Sequence, residues 1–511
     1  MSAYDEFNAY IGKINDLCCV LNLLTWDART QMPEGGTLTR GSQISTVAGI
    51  AQEMFASLKT LQLIEAAENE VAGEPTDSYR VRAVRYAREH YEVAQRIPSA
   101  LVAELNELKT IAQAVWIEAR KNDDYPLFAP YLEKIVKIQR RIASAVGYSD
   151  HPYDALLLRY EPGMTATCLH DLFAQLKAGL TPVLERARVY PEAPHDFLTR
   201  FTYPADQQKA FATEIAKKFG YDFKRGRVDQ TVHPFEISFT RQDVRITTRY
   251  DEHYPPQALF GLFHETGHAL YEQGADPAIT RTALATDLLD LYAVAGTSYG
   301  LHESQSRLWE NLIGRSRTFW QNHFPLLQSY FPEQLDGIDA EQFYRAVNRV
   351  KPSLIRTESD EVTYNFHIMI RVEIEMGLLD GSISIDELPT VWSAKYQQYL
   401  GVTPPNNRLG VLQDIHWSSG LFGSFCSYTL GNVISAQLFE AALQQNPQIE
   451  PALNEGQYQP LLSWLTEQVY RHGHAFRPDE LLQRATGSPL NVEPYFRYIH
   501  RKYDQLFPPK E

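Results

Sequence analysis

Along most of the chain, apolar residues return every three or four positions, the spacing that lines one face of an α-helix. Leu169, Leu172, Phe173, Leu176, Leu180 and Leu184 form one such stripe, and Thr165 stands where an N-cap would satisfy the first free amides of that helix. The same periodicity predicts helices over 99–115, 125–146, 366–379 and 458–470. One stretch departs from it. Between Val232 and Tyr250, Ile237 and Phe239, then Val244 and Ile246, alternate with polar residues on either side of Arg241 and Gln242. That period of two predicts a β-hairpin. The expected fold class is therefore mainly α, with one small β-sheet, and no fixed repeat, low-complexity tract or long flexible linker divides the chain.

Directly after the hairpin comes the segment of richest chemistry, Tyr254 to Gly274, with two prolines suited to a first helical turn and a glycine suited to the stop. Within it His264-Glu265-Thr-Gly-His268 is an HExxH motif. Histidines four apart on a helix project from one face and can grip one divalent cation, with the glutamate beside the open coordination position. The bland alternative, two solvated histidines and a surface acid, fits poorly with Leu259, Leu262, Phe263 and Leu270, which would bury the helix around them. A catalytic site of this type needs a third protein ligand, and spacing alone leaves Glu303, Glu310 and Asp290 open. No third histidine follows at the offset a metzincin requires. Such a centre would activate water for attack on a peptide carbonyl, with Glu265 moving the proton.

Composition narrows the partners. The formal net charge of −15 argues against nucleic acid, because phosphate binding draws its affinity from clustered Lys and Arg. Four cysteines, Cys18, Cys19, Cys168 and Cys426, show no metal-binding spacing, which fits a reducing compartment. The acidic start and the short apolar run from Leu17 to Leu24 suit neither a signal peptide nor a membrane span, so a cytoplasmic protein without membrane attachment is expected.

HETGHALYEQG and HESQSRLWEN together resemble the carboxypeptidase Taq family of thermostable metallocarboxypeptidases. Further tracts agree in order: His233-Pro-Phe, Asp243-Val-Arg245-Ile-Thr, IRTESDEVTYNFH from Ile355 to His367, Gly410 to Trp417, and Ser427 to Asn432. The likeness runs from Thr25-Trp-Asp to Arg477-Pro-Asp-Glu-Leu481. It implies a large helical peptidase fold shared with angiotensin-converting enzyme and the oligopeptidases, a single domain over 1–511 whose two helical lobes flank a deep groove, and a homodimer. By the same resemblance His264, His268 and Glu303 are the metal ligands and Glu265 is the base and acid; such donors suit one divalent metal per chain, zinc first and cobalt as the alternative. Glu310 is then left to support its helix, Arg356 clamps the peptide's terminal carboxylate, His416 and Tyr428 donate to the oxyanion, and His233 touches the substrate backbone. Asp243, Arg245 and Asp414 brace or orient their neighbours.

The implied activity is release of single C-terminal amino acids with broad specificity. An oligopeptidase or dipeptidyl carboxypeptidase of the same superfold is the nearest rival, and a helical binding protein with a vestigial metal site a remote one. The sequence departs from the family pattern twice. Thr286 to Val294 reads as an insertion, expected to form an added loop or helical turn beside the metal, and Cys426 stands where proline is usual. Its thiol would either pack or make activity sensitive to oxidation.

Overall fold

A computed structural model describes residues 1–508. Among them are twenty-one α-helices and two small sheets. The predicted helices are all present, as Ser99–Asn122, Tyr125–Val146, Ala166–Val189, Tyr364–Asp380 and Gln459–Gln468, and the Thr165 side chain accepts from the Cys168 amide as a cap. No helix among the described residues is long and apolar enough to cross a membrane.

The hairpin is there too, but its sheet is larger than the alternation predicts. Strands β2 (Glu236–Thr240) and β3 (Asp243–Thr248) pair antiparallel, and β1 (Val228–Gln230) joins β3 in parallel, giving the order β1-β3-β2. Arg245 braces this sheet as proposed from sequence: it makes two bonds to Asp243, of 2.9 and 2.8 Å, and lies over the rings of Trp26 and Phe239. The Thr286–Val294 segment is neither a loop nor a helical turn. It forms a second, two-stranded antiparallel sheet of β4 (Thr286–Asp287) and β5 (Tyr292–Ala293). Polar anchors hold this small hairpin: Asn15 and Asn22 of the first helix donate to Thr286 Oγ1 and the Ala293 carbonyl, and Tyr86 donates to the Thr286 carbonyl.

The chain folds into two compact units. The first takes Met1–Ala94, Ala193–Val347 and Ile434–Asn491; the second takes Gln95–Glu192, Asn348–Val433 and, of the described residues, 492–508. In the first unit, Pro255–Gly274 is one helix, buried on nearly every side, as its almost continuous apolar sequence requires. Behind it Phe219, Phe263, Trp309, Phe319 and Tyr458 form an aromatic wall, with Phe219 within 4.8 to 6.0 Å of the other four rings. The helix Tyr299–Arg307 crosses it, capped by Ser298 and continued through a π-helical turn at Leu308–Gly314.

These two helices touch backbone to backbone at Gly267. A Cβ there would lie 2.4 Å from the Gln305 carbonyl oxygen and 2.6 Å from Ser306 Cα, so one of the two free positions inside the HExxH motif is closed to any side chain. The second unit has a different centre. Arg371, fully buried on Tyr364–Asp380, bonds to Asp414 Oδ2 at 2.6 Å, Gln413 Oε1 at 2.8 Å, the His367 carbonyl and the Tyr396 hydroxyl.

Gly267→Ala is expected to force the two first-unit helices apart, costing about 1–3 kcal/mol of overpacking strain. Thermal unfolding of the metal-free protein measures this, and an unchanged midpoint would contradict the close contact.

Candidate active site

Helical spacing brings the side chains of His264 and His268 to one face of Pro255–Gly274, and the crossing helix presents Glu303 to them. His264 Nε2 lies 3.6 Å and His268 Nε2 3.4 Å from the same oxygen, Glu303 Oε2. The three ligand atoms all fall within 4.8 Å of one another. Metal–ligand bonds of about 2.1 Å set tetrahedral ligand atoms about 3.4 Å apart, so this set fits one small divalent cation. Asp290, the other acid left open by spacing, instead occupies the tip of the β4–β5 hairpin, where its amide bonds to Asp287.

Each of the three side chains is held by a further partner. Arg307 takes the second oxygen of Glu303, Nε to Oε1 at 2.6 Å, leaving Oε2 to face the histidines. The second nitrogen of His264, Nδ1, lies 3.0 Å from Glu310 Oε2, which fixes the ring with its Nε2 lone pair turned to the site. Glu310 is therefore more than the helix support expected from sequence. It bonds a metal-site histidine and is braced in turn by Arg307 and Arg315. His268 is held differently: its Nδ1 meets no hydrogen-bond partner among the described residues, and its ring stacks on His302 at 4.5 Å.

The local field suits a cation. Burial opposes charge on Glu303, but Arg307 and His264 outweigh it and hold the carboxyl well below the usual range. Burial likewise opposes charge on Glu310, yet His264 and Arg307 bring it to about 2. Burial and the neighbouring His302 push His268 down to about 3, leaving a neutral ring. On His264, burial is outweighed by Glu303 and Glu310, so its pKa lies above the ordinary value. Glu265, only 6% exposed, is pushed up to about 7 by burial, with His264 acting against this and Glu303 and Glu310 adding to it. A carboxyl poised near neutrality beside three side chains able to hold a cation has the profile of a proton carrier.

In the second unit the structure gathers three other candidates around Asp414. Arg356 Nε and Nη2 bond Asp414 Oδ1 at 3.1 and 2.9 Å, and its guanidinium lies 5.2 Å from the centre of the Tyr428 ring. His416 Nε2 is 3.3 Å from the Tyr428 hydroxyl. Burial opposes charge on Asp414, but Arg371 and Arg356 hold it well below the carboxylate range. Burial and Arg356 push His416 to about 3, so it is a neutral ring. Cys426 is fully buried, its thiol 3.3 Å from the Gly423 carbonyl and pushed well up by burial. It packs, as one of the two sequence readings had it. His233 lies on an exposed turn just ahead of β2.

Sequence reasoning passed over Arg307, Glu272 and His302. The first had a visible signal, since Glu303, Arg307 and Glu310 stand at i, i+4 and i+7, the spacing of one helical face.

The sequence model described as carboxypeptidase Taq (M32) metallopeptidase matches residues 6–503. The chain belongs to the carboxypeptidase Taq family. It is 40% identical over 516 residues to thermostable carboxypeptidase 1 of Thermus thermophilus, covering 99% of both chains. To carboxypeptidase 1 of Bacillus subtilis it is 38% identical over 502 residues, covering 98% of both. The crystal structure of an M32 carboxypeptidase from Deinococcus radiodurans R1 matches with a TM-score of 0.93 at 39% identity, over 99% of each chain. As a carboxypeptidase Taq family member the chain is a metallocarboxypeptidase, a hydrolase that works with a divalent metal.

Glu310→Gln keeps the shape of the side chain and weakens its hold on His264. Metal affinity should drop by about tenfold to a hundredfold, read by competition with a fluorescent chelator.

Proposed function

We propose that this carboxypeptidase removes single amino acids from the C-termini of peptides with broad specificity, holding its metal on His264, His268 and Glu303 and moving protons through Glu265. The observation that carries the reading is the convergence of three ligand atoms next to a buried carboxyl of pKa about 7. Two imidazoles and a carboxylate suit zinc, and cobalt fits the same donors. When bound, the metal polarises the scissile carbonyl and acidifies water.

Glu265 takes the proton of the attacking water and delivers it to the amine nitrogen of the departing residue, so one side chain serves as base and then acid. It does so only from the carboxylate form. Its protein surroundings set about 7, and a cation on the neighbouring ligands lowers this value, because it favours the charged form. Activity should therefore rise with pH through an inflection below 7 and be lost as pH falls through it.

Following the family likeness, Arg356 receives the terminal carboxylate of the peptide, with Asp414 fixing the plane of the guanidinium so that its remaining N–H groups are oriented in advance. His416, a neutral ring, and Tyr428 supply donors to the carbonyl oxygen as it gains charge. His233 contacts the peptide backbone. The same reading makes the protein a cytoplasmic homodimer.

Mixed peptides with free or amidated C-termini, followed by mass spectrometry, test the activity. Ladders losing one residue at a time from free acids only are expected; loss of residues in pairs would favour a dipeptidyl carboxypeptidase. Glu265→Gln should cut kcat by about 10²–10⁴-fold while bound metal, measured by elemental analysis, is unchanged. Arg356→Met should raise KM for free-acid peptides by about tenfold or more and abolish discrimination against amides in steady-state assays.

A further inference from the structure

His268 differs from His264 in how it is held. A metal-bound histidine ordinarily donates its second ring N–H to a carboxylate, carbonyl or water. His264 has Glu310 for this, whereas His268 Nδ1 is buried without a partner. No group of the described residues bonds that nitrogen, so the packing around the ring contributes to its rotation.

A column of four rings lies in the right place. His268 stacks on His302 at 4.5 Å and 16°, His302 on Tyr271 at 5.4 Å and 27°, and Tyr271 on Tyr470 at 5.0 Å and 26°. His268 and Tyr271 are three apart on the same helix, so their side chains leave one face, and the crossing helix inserts His302 between them. Both ends of the insertion are fixed. His302 Nε2 lies 3.0 Å from Glu272 Oε1, and Glu272 is locked by the Ala295 and Gly296 amides and the Ser238 hydroxyl. The far ring, Tyr470, is fully buried and donates to Gln305 Oε1 at 2.8 Å. Two glycines make room for the column. A Cβ at Gly296 would lie 2.4 Å from the His302 ring, and one at Gly274 would lie 2.7 Å from that of Tyr470.

We infer that His302, clamped by Glu272 and backed by Tyr271 and Tyr470, is the positioning residue for His268, orienting that ligand by ring stacking where no other described residue bonds its Nδ1. This rests on the reading of His268 as a ligand. Ala295 and Gly296 follow the β4–β5 hairpin directly, so through Glu272 that segment acts on metal affinity without touching the metal. The contribution is geometric: a flat ring confines the neighbouring flat ring to one plane, which an aliphatic side chain of equal volume cannot do.

The test compares His302→Phe, which keeps a ring, with His302→Leu, which fills the space without one. Metal dissociation constants are measured by chelator competition, and the visible absorption of the cobalt-substituted protein reports ligand geometry. His302→Leu should bind metal at least about tenfold more weakly with a shifted cobalt spectrum, and His302→Phe should recover most of the affinity. Equal affinities and spectra for wild type and His302→Leu would overturn the inference. So would an equal loss in the Leu and Phe variants. If His302→Leu does not fold, Tyr470→Leu is measured in its place; weakened binding is expected and an unchanged constant is fatal. His268→Ala separates the two levels of the argument: if it too retains full affinity, the ligand assignment fails; if it alone loses metal, only the stacking role fails.

Discussion

Everything at the metal site depends on how closely two helices approach at one point. His264 and His268 come from a single helix and their convergence is a local matter, settled by helical repeat. Glu303 comes from another, and its oxygen reaches them only because the backbone at Gln305 and Ser306 rests directly on Gly267. Interaxial distance in packed helices is set by the side chains at the contact. With no side chain there, the helices come near enough for the Glu303 carboxylate to stand beside both imidazoles.

Three like-charged carboxyls, Glu265, Glu303 and Glu310, are then crowded into a buried space, and their protonation would be ambiguous without cations among them. Arg307 bonds Glu303 and lies 3.5 Å from Glu310, and Arg315 reaches Glu310 as well. The two partnered acids stay ionised, while Glu265, without an arginine, floats to about 7. One environment thus separates two acids that hold charge from a third whose pKa stands near neutrality, the pattern by which neighbouring carboxyls can take different roles. The second unit repeats the logic with signs reversed, as two arginines share the one carboxylate of Asp414.

The helices were legible because burial on one face imposes a period, and the β2–β3 hairpin because an amphipathic sheet imposes another. Strand β1 escaped, since Val228–Gln230 is too short to show alternation, and so did β4 and β5, two residues each and held mainly by side chains of other elements. That His264 and His268 share one face of a helix could be read directly, as their geometry is local. The choice of Glu303 over Glu310 or Asp290 was closed to spacing arguments, because separation along the chain does not encode distance between helices, and it took the family resemblance to make it. That Glu310 bonds His264 as well as standing on its own helix escaped for the same reason. His302 stood beside the motif unrecognised, since a ring inserted between two others leaves no periodic trace.

The burial of the cysteines bears on how the protein can be handled chemically. Cys18 and Cys426 are sealed in packed interior, Cys19 is half-buried and pushed up to about 11 by burial, and Cys168 alone is exposed. Thiolate availability governs alkylation, so a maleimide dye should mark the start of the Ala166–Val189 helix and little else. The natural sequence thereby carries a ready handle for attaching a spectroscopic probe.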